Sequence, residues 1–288
     1  MSRTKRFSQH AVTACAFAAA ALCGPAMAQS FTAAEGTVPG NIANTVTADR
    51  ISFNYEARLV QTLVGGTYDG DDPFIESGFL TKASFANGGS AVPSQLNALN
   101  GYGIYGLFTI NGTSAQQGSG ISSTFSSMTM TLWMDPGQNT TLGFAGNTAL
   151  ATGGTGEDYA IAAYTLQSGE AHLFGGLANG DFDTILNVSL TNNGTLQDGE
   201  SFFSGPRPFY LLENFGGNIQ TLTGASLTSS FVASLSGAGP EIFLGAPDPT
   251  EPGAQLPEPA TLTLFGIALA GLGFSRRKRM RTRHLPSA

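Results

Sequence analysis

The chain has 288 residues, with 13 basic and 20 acidic side chains and a formal net charge of −7. Its only cysteines, Cys15 and Cys23, lie near the amino terminus, which excludes a disulfide framework or a thiolate metal site in the rest of the chain. Residues 29–256 hold four basic and 19 acidic side chains, a formal charge of −15. Because a body this acidic repels phosphate backbones, nucleic acid is not expected as a partner.

Residues 1–28 have the pattern of a secretory signal peptide. A basic start is followed by an alanine-rich apolar run over 11–22 and then by Ala26-Met27-Ala28. Small residues at Ala26 and Ala28 suit signal peptidase, which would leave Gln29 as the new amino terminus. Two alternatives are a buried alanine-rich helix and a lipidation signal at Cys15, although too few apolar residues precede that cysteine.

The region between the two ends divides by composition into three parts. Residues 29–49 are small and polar and predict a flexible lead-in. Residues 50–236 predict one domain, and residues 237–255 combine four prolines with acidic side chains, which is typical of an extended linker.

The body is predicted to be all-β, as a single β-sandwich or jelly-roll-like domain. The stretch Phe125–Met134 alternates apolar and polar side chains with the period of a strand, and Asp135-Pro136-Gly137 ends it as a turn. Asn87-Gly88-Gly89 and Asn111-Gly112 predict hairpin turns. Further predicted strands lie at 51–63, 78–85, 102–110, 159–166, 185–191, 209–214 and 227–235.

The carboxyl-terminal segment 256–279 has three parts in a fixed order. Pro257-Glu258-Pro259 comes first, an apolar run over 260–274 follows, and Arg276-Arg277-Lys278-Arg279 precedes a basic tail at 280–288. The run is short for a spanning helix, which needs about 20 residues, although flanking basic side chains help a short span. A plain membrane anchor is the alternative interpretation.

This segment resembles the PEP-CTERM sorting signal of Gram-negative bacteria that make exopolysaccharide. The resemblance implies a short hydrophobic sorting helix that inserts transiently in the inner membrane. It also implies cleavage near Pro257-Glu258-Pro259 by an exosortase, a membrane-embedded transpeptidase. The expected destination is the cell surface or the extracellular matrix.

No catalytic site is expected from the sequence. His172 is the one histidine between the two end signals, and no Gly-x-Ser-x-Gly elbow accompanies it. Three pairs of carboxylates could serve a glycan-acting hydrolase: Glu157 with Asp158, Asp181 with Asp183, and Glu56 with Glu76. Their spacing is not diagnostic, so hydrolysis is kept as an alternative function.

Calcium is the one metal that the sequence suggests, and no other cofactor is expected. Asp69, Asp71 and Asp72 place hard oxygen ligands close together in a glycine-containing loop, as Asp181 and Asp183 do farther along the chain. The first loop lacks the length and the glutamate of an EF-hand. Solvated turn carboxylates are the simpler interpretation, and a calcium-dependent glycan-binding module is the alternative.

The body also resembles the flocculation-associated PEP-CTERM proteins of floc-forming bacteria. The segments that carry this resemblance are 102–108, Leu132-Trp133-Met134-Asp135-Pro136, Glu157-Asp158-Tyr159, Phe202-Phe203 and Pro206-Arg207-Pro208-Phe209-Tyr210. The resemblance implies a noncatalytic role in gathering cells into flocs, with extracellular polysaccharide as the partner.

Overall fold

The computed structural model describes residues 30–175, 177–204 and 212–244, and strands dominate them. A 3-10 turn at Glu35–Thr37 and a short helix α1 at Gly199–Phe202 interrupt the strands. The strands are β1 Phe31–Ala34, β2 Thr45–Ala48, β3 Arg50–Gln61, β4 Asp69–Asn87, β5 Ser90–Ala91, β6 Gly103–Gln117, β7 Gly120–Asp135, β8 Thr141–Ala145, β9 Thr148–Thr152, β10 Tyr159–Leu173, β11 Gly180–Leu190, β12 Phe203–Ser204, β13 Leu212–Ile219, β14 Thr221–Thr223 and β15 Phe231–Leu244.

Eight of these strands close into an antiparallel barrel. Their order is β3, β4, β6, β7, β10, β11, β13 and β15, and β15 returns to pair with β3 as well as with β13. The predicted all-β class is confirmed, whereas the predicted sandwich or jelly roll is wrong. The reason is closure: the first and last strands satisfy each other's hydrogen-bonding groups, so one sheet encloses the core without a second sheet facing it.

Alternating side chains fill the barrel interior. Every second residue of β3 from Ile51 to Gln61 is buried, and the intervening side chains face outward. The predicted strand at Phe125–Met134 is confirmed within β7, where Met128, Met130, Leu132 and Met134 enter the core. The interior is therefore a packed core rather than an open channel.

Different kinds of side chain pack around the two ends of β3. Near Gln61, the Ser114 hydroxyl donates to Gln61 Oε1 at 2.8 Å and lies 2.9 Å from Ser123 Oγ. Near Arg50, aromatic rings of the small sheet β12-β1-β2 pack on the core, and Phe31 meets both Phe85 and Phe203 edge to face. Residues 29–49, expected as a flexible lead-in, thus supply two packed strands.

Two more expectations change because of strand pairing. Asn111-Gly112 was predicted as a hairpin turn, but it lies inside β6 at a register shift against β7. A Cβ on Gly112 would come within 2.2 Å of the Thr124 carbonyl oxygen, so close packing rather than a turn requires glycine here.

In addition, β15 continues to Leu244, within the segment expected as linker. The turn at Asn87-Gly88-Gly89 is confirmed between β4 and β5.

A separate hairpin, β8–β9, lies on the outer surface of the barrel. Its Phe144 ring contacts Phe79 with centroids 5.1 Å apart, and the Arg58 guanidinium lies 4.6 Å from the centre of the same ring. The Ala149 amide also donates to Ser77 Oγ at 3.0 Å. The loop between β7 and β10 is thereby held against β3 and β4.

Candidate functional site

Three carboxylates meet where β7 ends and β10 begins. Asp135 is the last residue of β7, and Glu157 and Asp158 immediately precede β10. The two strands are antiparallel neighbours with Met134 opposite Tyr159, so the ends of both strands lie side by side. One oxygen from each carboxylate lies within 4.8 Å of the others. We call these three residues the acidic cluster.

Asp135 builds the turn that follows β7. It is buried, and its two oxygens accept hydrogen bonds from the backbone amides of Asn139 at 3.2 Å and Thr140 at 3.1 Å. This is the usual behaviour of an aspartate at the start of a turn. The predicted turn at Asp135-Pro136-Gly137 is confirmed, and the Asp135 carboxylate is already engaged in organising it.

Asp158 has one oxygen engaged and one unpaired. Oδ2 accepts hydrogen bonds from Tyr105 Oη at 2.8 Å and from Thr140 Oγ1 at 2.6 Å. Oδ1 is buried and has no hydrogen-bond partner within the part of the chain that the structure describes. Burial raises the pKa of the Asp158 carboxyl, hydrogen bonds from Thr140 and Tyr105 oppose this shift, and the charges of Asp135 and Glu157 add to it.

Aromatic rings lie beside the acidic cluster. Tyr105, whose hydroxyl binds Asp158, stacks on Trp133 of the neighbouring strand with an interplanar angle of 8°. Tyr105 is buried, whereas Trp133 keeps part of its surface exposed. The sequence pairing of Glu157 with Asp158 is retained here, but the participation of Tyr105 and Asp135 depends on strand register, which local sequence does not show.

A shallow groove of about 380 Å³ adjoins the acidic cluster. Its walls come from three loops, at Pro39-Gly40, at 98–101 and at Pro136-Gly137-Gln138. The Gln138 side chain donates to the Ala98 carbonyl oxygen at 2.7 Å and links two of these loops. Left-handed backbone at Asn100 and Gln138 bends the chain around the groove. Glycines, prolines, Leu99 and the amide side chains of Asn100 and Gln138 line it, so the groove offers both apolar and polar contacts to a ligand.

Glu35 links the segments that carry two of the groove loops, at Pro39-Gly40 and at 98–101. This carboxylate is fully buried and accepts hydrogen bonds from the Gln95 amide at 2.6 Å, from Asn44 Nδ2 at 2.6 Å and from Tyr102 Oη at 3.0 Å. The Gln95 side chain in turn exchanges two hydrogen bonds with the backbone of Ile42. The sequence analysis missed Glu35, since a single glutamate in a polar segment carries no local signal.

The predicted calcium ligands do come together at the start of β4. One oxygen each from Asp69, Asp71 and Asp72 lie within 4.8 Å of one another. However, the buried Asp72 already accepts the backbone amides of Val64 at 2.5 Å and Asp69 at 3.1 Å. A hydrogen bond and the charge from Asp69 raise the pKa of Asp71. The geometry is that of a loop-forming aspartate with two exposed neighbours, and calcium binding stays a prediction.

The other sequence candidates are not assembled into a site. Glu56 faces outward from β3 while Glu76 faces into the barrel from β4, so these two carboxylates cannot act on one substrate. The nearest carboxylate to His172 is Glu170, with Nε2 and Oε1 3.8 Å apart. Nδ1 of His172 has no hydrogen-bond partner among the described residues, so no triad forms there.

Comparison with known proteins identifies one segment. Residues 255–278 match the PEP-CTERM protein-sorting motif. The chain carries a PEP-CTERM sorting motif. The match begins and ends one residue earlier than the segment predicted from sequence, and it indicates exosortase-dependent sorting to the extracellular side. No curated protein and no solved structure matches the chain.

The sorting residues themselves fall outside the described residues. This holds for Pro257-Glu258-Pro259, for Arg276-Arg277-Lys278-Arg279, for the apolar run at 260–274, and for the predicted peptidase site at Ala26, Ala28 and Gln29. Among residues 30–175, 177–204 and 212–244, no helix has the length and apolar character needed to cross a membrane. The signal-peptide cleavage stays a prediction.

Proposed function

We propose that this chain is an exported, exosortase-processed and noncatalytic protein of the cell surface or extracellular matrix, which helps to gather cells into flocs by contacting exopolysaccharide. The observation that carries the proposal is the sorting motif at residues 255–278. A protein sorted to the extracellular side meets its partners outside the cell, where polysaccharide is the abundant polymer of a bacterial matrix.

The groove beside the acidic cluster supports a polysaccharide partner. Its volume of about 380 Å³ falls within the range of roughly 300–1,000 Å³ that is usual for ligand sites. Backbone groups and amides around it can exchange hydrogen bonds with sugar hydroxyls. Two segments that resemble the flocculation-associated proteins adjoin this groove, since Pro136 lines it and the Glu157 carboxylate lies beside Gly137 of its wall. Weak contacts of this kind gain strength from many copies per cell.

The test is the settling of cultures after clean deletion of the gene, with exopolysaccharide measured in the same cultures. We expect deletion to leave the cells dispersed while polysaccharide output is unchanged. Complementation with Leu99→Glu, which adds a charge to a fully exposed groove residue, should restore settling only in part. Leu196→Glu, at an exposed leucine before α1, is the matched control. Normal settling of the deletion strain would overturn the proposal.

Two alternative functions give different results with purified protein. The acidic cluster beside the groove favours both of them. A glycan-acting hydrolase would release new reducing ends from the producer's exopolysaccharide, and Asp158→Asn would abolish this release without unfolding the barrel. A calcium-dependent glycan-binding module would retain the polysaccharide only with calcium present. Loss of calcium-dependent retention in Asp71→Asn would assign calcium to the loop of Asp69, Asp71 and Asp72. Loss in Glu157→Gln would assign it to the acidic cluster.

A further inference from the structure

A carboxylic acid lies inside the barrel. Glu76 sits on β4 between Ile75 and Ser77, which face outward, so its own side chain enters the interior. There it lines a small cavity of about 20 Å³ whose other walls are mostly rings and aliphatic chains, including Phe108, Ile110, Phe125, Phe182 and Ile219. The residue is partly buried, and this mostly apolar lining surrounds its side chain.

The structure supplies no charge to balance this carboxylate. Within the described residues, Glu76 has no hydrogen bond and no ion pair, and no lysine, arginine or histidine lines the cavity. The strands packed around it contribute Phe108 and Ile110 from β6 and Phe125 from β7, and β10, β11 and β13 contribute Ala171, Phe182 and Ile219. Only Tyr55, from β3, can also titrate. An ionised carboxylate in such surroundings is strongly disfavoured.

Tyr55 gives a second, independent sign of a polar site in this apolar interior. The residue is 3% exposed, and its hydroxyl has no hydrogen-bond partner among the described residues. Buried hydroxyls without partners are rare in folded proteins and call for an explanation. The cavity that Tyr55 shares with Glu76 has a volume of about 20 Å³, which is room for about one water molecule.

We propose that the barrel interior is a proton-binding site: Glu76 holds one proton in the closed barrel, and loss of this proton draws water into the cavity and loosens the strands around it. The pKa of Glu76 is consistent with a carboxyl group that keeps its proton in the folded barrel, because burial raises this pKa to about 7. The barrel of a protein sorted to the extracellular side would then be tighter in acidic surroundings than in alkaline ones. This inference does not depend on the proposed role in flocculation.

Hydrogen exchange followed by mass spectrometry tests the proposal on the protein secreted by the producing cells. Protection of the β3 and β4 amides should fall by about tenfold between pH 6 and pH 8, beyond the intrinsic change in exchange rate, as linkage to one such carboxyl requires. Glu76→Gln, compared with the wild type at each pH, should abolish this extra loss. Glu56→Gln, on the outer surface of β3, should retain it.

Two outcomes would overturn the inference: equal protection of the wild type at both pH values, or the same extra loss in Glu76→Gln. A second measurement covers the case in which Glu76→Gln does not fold. Carbon-13 NMR of glutamate carboxyl groups in the labelled wild-type protein should show one glutamate that titrates above pH 6. Titration of every glutamate below pH 5 would contradict the proposal.

Discussion

Glu76→Gln is the substitution whose energetic effect follows most directly from the structure. Glutamine has nearly the same volume as glutamate but cannot ionise, so the change removes the charge without opening a larger cavity. In the unfolded chain the carboxyl titrates near its ordinary pKa of 4.5, whereas burial raises the pKa in the folded barrel to about 7.

The sign of the pH dependence follows from these two values. Below about pH 4.5 the carboxyl is protonated in both states and carries no penalty. As pH rises from 4.5 to 7, the unfolded chain releases the proton while the folded protein retains it, so the free energy of unfolding falls. Above pH 7 both states are ionised, and the loss of stability is complete. A difference of about 2.5 pKa units corresponds to roughly 3 kcal/mol.

Urea denaturation at pH 5 and pH 8 measures this effect. At pH 8 we expect Glu76→Gln to exceed the wild type in free energy of unfolding by about 3 kcal/mol, and at pH 5 the two should agree within about 1 kcal/mol. Glu56→Gln, at an exposed position, should follow the wild type at both pH values. A wild type that is as stable at pH 8 as at pH 5, or a Glu76→Gln protein that declines in parallel with it, would refute the reasoning.

Three further predictions concern other residues. Tyr55→Phe removes a buried hydroxyl that has no partner, so the free energy of unfolding in urea should stay unchanged or rise by up to about 1 kcal/mol; a clear loss would mean that the hydroxyl is bonded. Glu35→Ala leaves the Gln95 amide and the Tyr102 hydroxyl without their acceptor, and should lower stability by about 3 kcal/mol in thermal melts; an unchanged melting temperature would contradict the role of Glu35 beneath the groove. Glu258→Ala should move the protein from the extracellular to the membrane fraction in immunoblots, because it alters the sorting motif. An unchanged distribution would show that sorting does not require this glutamate.

Some features of this protein are set by neighbouring residues and could be predicted from the sequence. Alternation over Phe125–Met134 indicated a strand because side chains on a strand point to opposite faces. Asp135-Pro136-Gly137 indicated a turn through the preferences of its own residues. The sorting motif is a linear signal, so it can be recognised wherever its three parts follow one another.

The arrangement of carboxylates could not be predicted in this way. Glu56 and Glu76 both lie within strands, yet one faces solvent and the other the core, because bulges and register decide which face each position takes. Likewise, Asp135 meets Glu157 and Asp158 only because β7 and β10 pair with Met134 opposite Tyr159.

Sequence alone thus determined the β class, several strands and turns, and the segment that directs sorting. Only the tertiary structure decided that the sheet closes into a barrel, that Asn111-Gly112 continues a strand, and that Phe31–Ala34 and Thr45–Ala48 pack as strands. The physical reason is the range of the interactions. Turns and alternation depend on adjacent residues, whereas closure depends on hydrogen bonds between β3 and β15, which join Arg50 to Phe243 across almost the whole described chain.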